Sequence, residues 1–208
     1  MNDPADRNAR PYSQPLSKLL QPDQALTTRQ LEDRRLIHRH ESVRKHADAF
    51  RELRTRLLSL SGSLHGENRN FVTLVAPVRH GCGGSFVARN LAAAFAFDES
   101  KQALLIDCDA THPAQGDALR VPAENGGLID YLEDESITLS DIVYPTGIPR
   151  LQLIPCGRSR ETPGESFSSF RMHAMIDSLR AHQGNRHLIL DGSPEQSSPH
   201  AQIIHDHD

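Results

Sequence analysis

The chain contains no tryptophan, and aromatic residues make up only 5% of its 208 positions. Single-stranded nucleic acids bind on aromatic stacking platforms, which so sparse a set does not provide. A net charge of −4 and a pI near 6.3 add no general attraction for a polyanion, so no nucleic-acid partner is expected. No run of 18 apolar residues occurs and mean hydropathy is −0.51, which excludes a transmembrane helix. The opening MNDPADRNARPYSQP lacks the apolar stretch of a secretory signal, so a cytoplasmic location is expected. Cysteine is scarce too. Cys82, Cys108 and Cys156 are far apart, without CxxC spacing, which argues against a disulfide framework or a structural zinc site.

Histidine is the exception, with 12 residues, yet no HExxH and no helical four-residue pairing appears. His200, His205 and His207, beside Asp206 and Asp208, form the densest group and suit adventitious metal trapping. The histidines otherwise read as scattered surface groups.

Residues 1–28 carry Pro4, Pro11, Pro15 and Pro22 among polar residues and read as a disordered segment. Residues 29–66 read as a basic helical region. From Arg29 to Arg56, nine Arg and Lys residues face five acids, a balance of +4. Val43, Ala47, Phe50, Leu53, Leu57, Leu60 and Leu64 recur at helical steps and predict an apolar packing stripe, ending near Gly62 or Gly66. Residues 67–208 alternate between strand and helix. Short apolar runs at 71–76, 103–107, 151–155 and 187–191 predict strands, and 86–97, 127–133 and 167–181 predict helices. Near-continuous apolar strands separated by helices predict an α/β fold, a doubly wound parallel sheet covered on both faces.

The chemistry gathers where strands end. Two predicted strands finish in Asp107 and Asp191, and the first runs into the glycine-rich turn Gly81-Cys82-Gly83-Gly84 before a helix. A parallel sheet brings all three ends to one edge, where ligands bind. Loop amides and a helix N-terminus can cradle phosphate, while carboxylates can hold Mg²⁺. Cys82, close to that helix N-terminus, is placed to have a lowered pKa.

The stretch from Arg79 to Ala92, RHGCGGSFVARNLA, resembles the Walker A region of bacterial tyrosine kinases, deviant P-loop proteins grouped with MinD and ParA. The usual form there is PGEGKST followed by a helix containing NLA. Leu104-Leu105-Ile106-Asp107-Cys108-Asp109 resembles the family's second acidic motif, and Leu188-Ile189-Leu190-Asp191-Gly192-Ser193-Pro194 its Walker B. Gly127 to Leu132 and Leu153 to Gly157 are similar to its GLSDVL and LPAG segments, and Asp48 to Thr55 to its EAFRxLRT assembly helix. The resemblance implies a P-loop NTPase fold with an N-terminal basic helical extension. It implies nucleotide binding by Gly81, Cys82, Gly83, Gly84, Ser85 and Phe86. Mg²⁺ would be held by Ser85, Asp107 and Asp191, catalysis carried by Asp107 and Asp109, and homo- or hetero-oligomeric assembly carried by Asp48, Arg51 and Arg54. It also implies a role in exopolysaccharide or capsule production. There the protein docks on a membrane polysaccharide co-polymerase of the chain-length-determinant type, peripheral to the inner membrane face.

Three departures shape the expected activity. The Walker A lysine, which neutralises developing phosphoryl charge, is replaced by Gly84. Losing that charge costs on the order of several kcal/mol of transition-state stabilisation. Tyrosine occurs only at 12, 131 and 144, so the family's tyrosine-rich tail is absent, and the chain ends 14 residues after Pro194, before the family's last sheet elements. A catalytically impaired nucleotide-binding or scaffold protein is therefore expected, with ATP or ADP and Mg²⁺ bound weakly or not at all. The alternatives are an active ATPase or tyrosine autokinase with an atypical P-loop, and a ParA/MinD-like positioning ATPase.

Overall fold

Five strands form one sheet in the order β1-β5-β2-β4-β3. They are β1 (Val72–Val75), β2 (Gln102–Asp107), β3 (Tyr144–Pro145), β4 (Leu151–Ile154) and β5 (Arg186–Asp191). The first, second, fourth and fifth run parallel, and only the two-residue β3 pairs antiparallel, with β4. The computed structural model describes residues 25–38, 44–65, 71–158, 167–181 and 186–194. The segment before Ala25 and the histidine-rich residues 195–208 lie outside the described residues.

Alternation along each strand builds two cores. Leu104, Ile106, Leu188, Leu190 and Ile154 point to one face. There they pack with α5 (Leu128–Glu133), α6 (Leu139–Ile142) and α7 (Phe170–Ala181). Ala103, Leu105, Leu151, Leu153 and Ile189 point to the other. They meet α1 (Thr28–Asp33), α2 (Arg44–His65), α3 (Gly84–Ala96) and α4 (Gln115–Leu119). A side chain on each face of every central strand is thus removed from water, which is why these strands read as continuous apolar runs. The doubly wound α/β expectation holds.

The basic region is two helices. α1 starts on a capping box between Thr27 and Gln30, and it stops where Arg35 takes a left-handed φ of 54°. Leu36 and Ile37 then run non-helically and buried, held by Asn90 of α3. The Asn90 carboxamide accepts from the Ile37 amide at 2.8 Å and donates to the Arg35 and Phe86 carbonyls at 3.1 and 3.0 Å. Leu26 also joins the body, its amide donating to the Gly147 carbonyl. On α2, Ala47 and Phe50 are buried and Leu53 and Leu57 pack against the same core, but Leu60 is 58% exposed. Leu60 thus departs from the packing stripe that its spacing predicts.

One core position is costly. His187 on β5 lies between Phe95 and Phe71, with ring centroids 4.2 and 4.9 Å away, and neither ring nitrogen has a hydrogen-bond partner. Burial, helped by the Lys101 charge, pushes its pKa down to about 4. The unfolded chain thus binds a proton that the fold excludes, and stability is lost as pH falls from about 6.5 toward 4. We expect His187→Phe to gain about 1 kcal/mol at pH 7 and roughly 2 kcal/mol more at pH 5, read by urea unfolding at both pH values.

Candidate functional site

The sheet register sets Asp107 directly beside Asp191, and Asp191 beside Val75, so the ends of β1, β2 and β5 coincide. Both carboxylates are fully buried. Asp107 is held by the chain that follows it. Its Oδ1 accepts from the Asp109 amide, and its Oδ2 from the Ala114 and Gln115 amides at 3.1 and 3.0 Å. Burial, with the neighbouring Asp191 charge, still raises its pKa to about 7. Asp191 is raised as well, chiefly by burial, with the Gln115 and Ser85 side chains offsetting part of the shift.

Gln115 organises this centre, and no sequence pattern singles it out. Its Nε2 donates to Asp191 Oδ2 at 2.5 Å and to the Ser85 carbonyl at 3.0 Å. Its Oε1 accepts from Arg89 Nε at 3.2 Å. One buried carboxamide therefore ties α3, the loop after β2 and the end of β5 together. Arg89 supplies the nearby positive charge, interacting with both Asp191 and Asp107 while burial lowers its own pKa.

The glycine loop enters α3 without a side-chain cap. Gly81 and Gly83 take φ of 75° and 96°, a region open to glycine and strained for other residues. The first helical bond is that from the Val87 amide to the Gly83 carbonyl, so the amides of Gly84, Ser85 and Phe86 have no acceptor within the helix. Such amides and the helix dipole suit an anion. Gly84 fills its place closely, since a Cβ added there would come within 2.8 Å of Pro77 Cβ. A lysine at 84 thus requires the loop to shift. Phe86 turns toward the core instead, edge-on to Phe50 of α2 at 5.9 Å. Cys82 is exposed, and hydrogen bonding from the Arg79 backbone leads the lowering of its pKa.

For a hard divalent cation the donor set is suitable. Asp191 Oδ1 is buried without a hydrogen-bond partner of ordinary geometry, and the Ser85 side chain neighbours this carboxylate. Both Asp107 oxygens already accept amides, so Asp107 contributes charge more readily than a free lone pair. A cleft of about 410 Å³ opens beside this centre, between Asp107, Pro113, Val121, Asp130 and Cys156. Its floor joins two of the sequence motifs. The Leu128 and Ile129 amides donate to the Pro155 and Cys156 carbonyls, and Asp130 Oδ2 accepts from the Gly127 amide at 2.9 Å.

The three proposed assembly residues separate. Asp48 and Arg51 are exposed and pair with each other at 2.9 Å. Arg54 instead reaches across to α3, donating to the Ala94 carbonyl at 2.7 Å near the helix C-terminus. The histidines also differ from a scattered surface set. His38 and His187 are buried, while His80 and His112 stack edge-to-face with centroids 4.6 Å apart. The reason is tertiary: two loops distant in sequence meet at the same sheet edge.

No family model matches the chain. The tyrosine-protein kinase CpsD of Streptococcus agalactiae is 26% identical over 138 residues, covering 66% of this chain and 57% of that protein. The BceF tyrosine kinase domain is 26% identical with a TM-score of 0.64, covering 76% of this chain and 60% of that one. The kinase domain of Escherichia coli tyrosine kinase ETK shares the fold at a TM-score of 0.66 and 21% identity, covering 86% of this chain and 71% of that one. The chain thus spans less than two thirds of the CpsD and BceF sequences it matches. With the ordered motifs, these relatives make the chain similar to the bacterial tyrosine kinases, whose P-loop fold it shares.

Proposed function

We propose that this chain is a capsule or exopolysaccharide biosynthesis protein that binds nucleotide or serves as a scaffold, with phosphoryl transfer impaired. The observation that carries the reading is position 84. The loop keeps its anion-binding amides and its acidic partners, but glycine stands where charge neutralisation is required, packed against Pro77. Arg89 donates through Nε to Gln115, which ties its side chain to the carboxylate centre. Ser85 and Asp191 would hold a Mg²⁺ accompanying the nucleotide, which supplies charge neutralisation at the phosphates. The loop amides of residues 84–86 would orient the phosphates.

Docking on a membrane polysaccharide co-polymerase and homo- or hetero-oligomerisation belong to the same proposal. The exposed Asp48 and Arg51 on α2 support an assembly face, with Arg54 supporting it from behind by fastening α2 to α3. No helix among the described residues is long and apolar enough to cross a membrane.

Calorimetric titration with ATP or ADP and Mg²⁺, alongside phosphate-release and phosphotyrosine assays, tests the reading. Nucleotide binding weakened by Asp191→Ala, with no turnover above background, is expected. Turnover abolished by Asp107→Ala or Asp191→Ala would instead establish an active enzyme with an atypical P-loop.

A further inference from the structure

We propose that His80, Asp109 and His112 form a binding site for a divalent transition metal of the Zn²⁺ class. Each offers a ligand atom, and these atoms lie within 4.8 Å of one another. Two imidazoles and a carboxylate suit Zn²⁺ and its neighbours better than Mg²⁺, which takes oxygen donors. Tetrahedral zinc with bonds of about 2.0–2.2 Å needs ligand atoms about 3.3–3.6 Å apart, a closure of at most about 1.5 Å that turning the exposed imidazoles can supply.

The three residues differ usefully in rigidity. Asp109 is buried, and its Oδ1 accepts from the Thr111 and His112 amides at 3.1 and 3.0 Å, so the carboxylate is oriented in advance. Those bonds leave Oδ2 without an amide donor. Both imidazoles are exposed, so they can turn toward the ion without disturbing the core. His112 is tied at its backbone to the carboxylate it would share the metal with, and His80 arrives from the glycine loop beside Gly81. Three protein ligands leave a further coordination position for water.

A metal here clips the β1–α3 loop to the loop after β2. It also brings positive charge to the glycine loop, where Gly84 offers none. The assignment stands or falls separately from the function proposed above, because metal binding is read here without nucleotide or turnover.

Titration of the full chain with Co²⁺, read by visible d–d absorption and displaced by Zn²⁺, tests the assignment. His80→Gln and His112→Gln are each expected to weaken binding by about 10–100-fold. Neither touches the buried core, and circular dichroism of each variant confirms that it is folded. His205→Gln with His207→Gln in the tail is expected to leave the high-affinity signal unchanged. Binding that survives both loop variants, binding that disappears with the tail variant, or no Co²⁺ binding at all would overturn the proposal.

Discussion

Replacing Gln115 with Leu is expected to cost about 3–5 kcal/mol of stability at pH 8, and less as pH falls. The substitution keeps the volume but removes the donor that Asp191 Oδ2 and the Ser85 carbonyl share, together with the acceptor for Arg89. A buried carboxylate stripped of its donor loses about 1.5–3 kcal/mol, and an abandoned buried carbonyl about 1–3 kcal/mol. The pH dependence follows from the direction of the Asp191 shift. Its carboxyl is already raised in the fold, and losing the amide raises it further. A folded pKa above the unfolded one lowers stability as pH rises toward the folded value, and the deficit is complete beyond it. Acidification protonates Asp191 and removes the uncompensated charge. Urea unfolding of both proteins from pH 5 to 8 measures the effect. An equal loss at every pH would mean that Gln115 only fills space.

Asp107 imposes the same slope on the unmodified protein. With its pKa raised to about 7, it lowers stability by roughly 3 kcal/mol between pH 4 and pH 7. His187 works in the opposite sense over most of that range, so the two contributions largely cancel between about pH 4 and 6.5. The His187→Phe variant exposes the Asp107 slope. Buried carboxylates at this sheet edge are held there at the expense of stability, as functional groups commonly are.

Replacing Asn90 with Leu is expected to cost about 2–4 kcal/mol and to free the segment carrying α1. The Ile37 amide and Arg35 carbonyl have Asn90 as their bridge to α3, and Leu satisfies neither. Leu31, Leu36 and Ile37 remain apolar, but without that bridge their placement is no longer specified. Limited trypsin digestion should then cut at Arg29 and Arg35 while the body stays intact, and urea unfolding should show the lower midpoint. Unchanged protection at these arginines would show that apolar packing alone holds the segment. The result bears on assembly as well, since α2 follows this segment and lies on the same helix, α3, through Arg54 and Phe50.

Much of this centre was legible before any coordinates. Asp107 and Asp191 end apolar runs, so a parallel sheet had to deliver them to one edge. The glycine loop precedes an Ala-rich helix, so its amides had to face that edge. Gln115 was not legible, because its partners stand 30 and 76 residues away and a lone glutamine after Pro113 and Ala114 carries no period or spacing. Asn90 belonged to a recognised motif, yet its role as the anchor for Arg35 and Ile37 depends on a segment more than 50 residues distant. The scarcity of ordinary metal-binding spacings hid His80 and His112 in the same way.

What the sequence determined by itself was the pattern of burial and the order of motifs, hence the sheet, its covered faces and the family resemblance. Those features follow from local periodicity, which each segment carries alone. Only the tertiary structure decided which polar groups satisfy one another at the sheet edge. It set Gln115 between the carboxylates, turned Arg54 inward, closed Pro77 against Gly84 and joined two histidine loops around Asp109. Each of these is a choice among partners far apart in the chain, settled by where the strands end and how little water remains there.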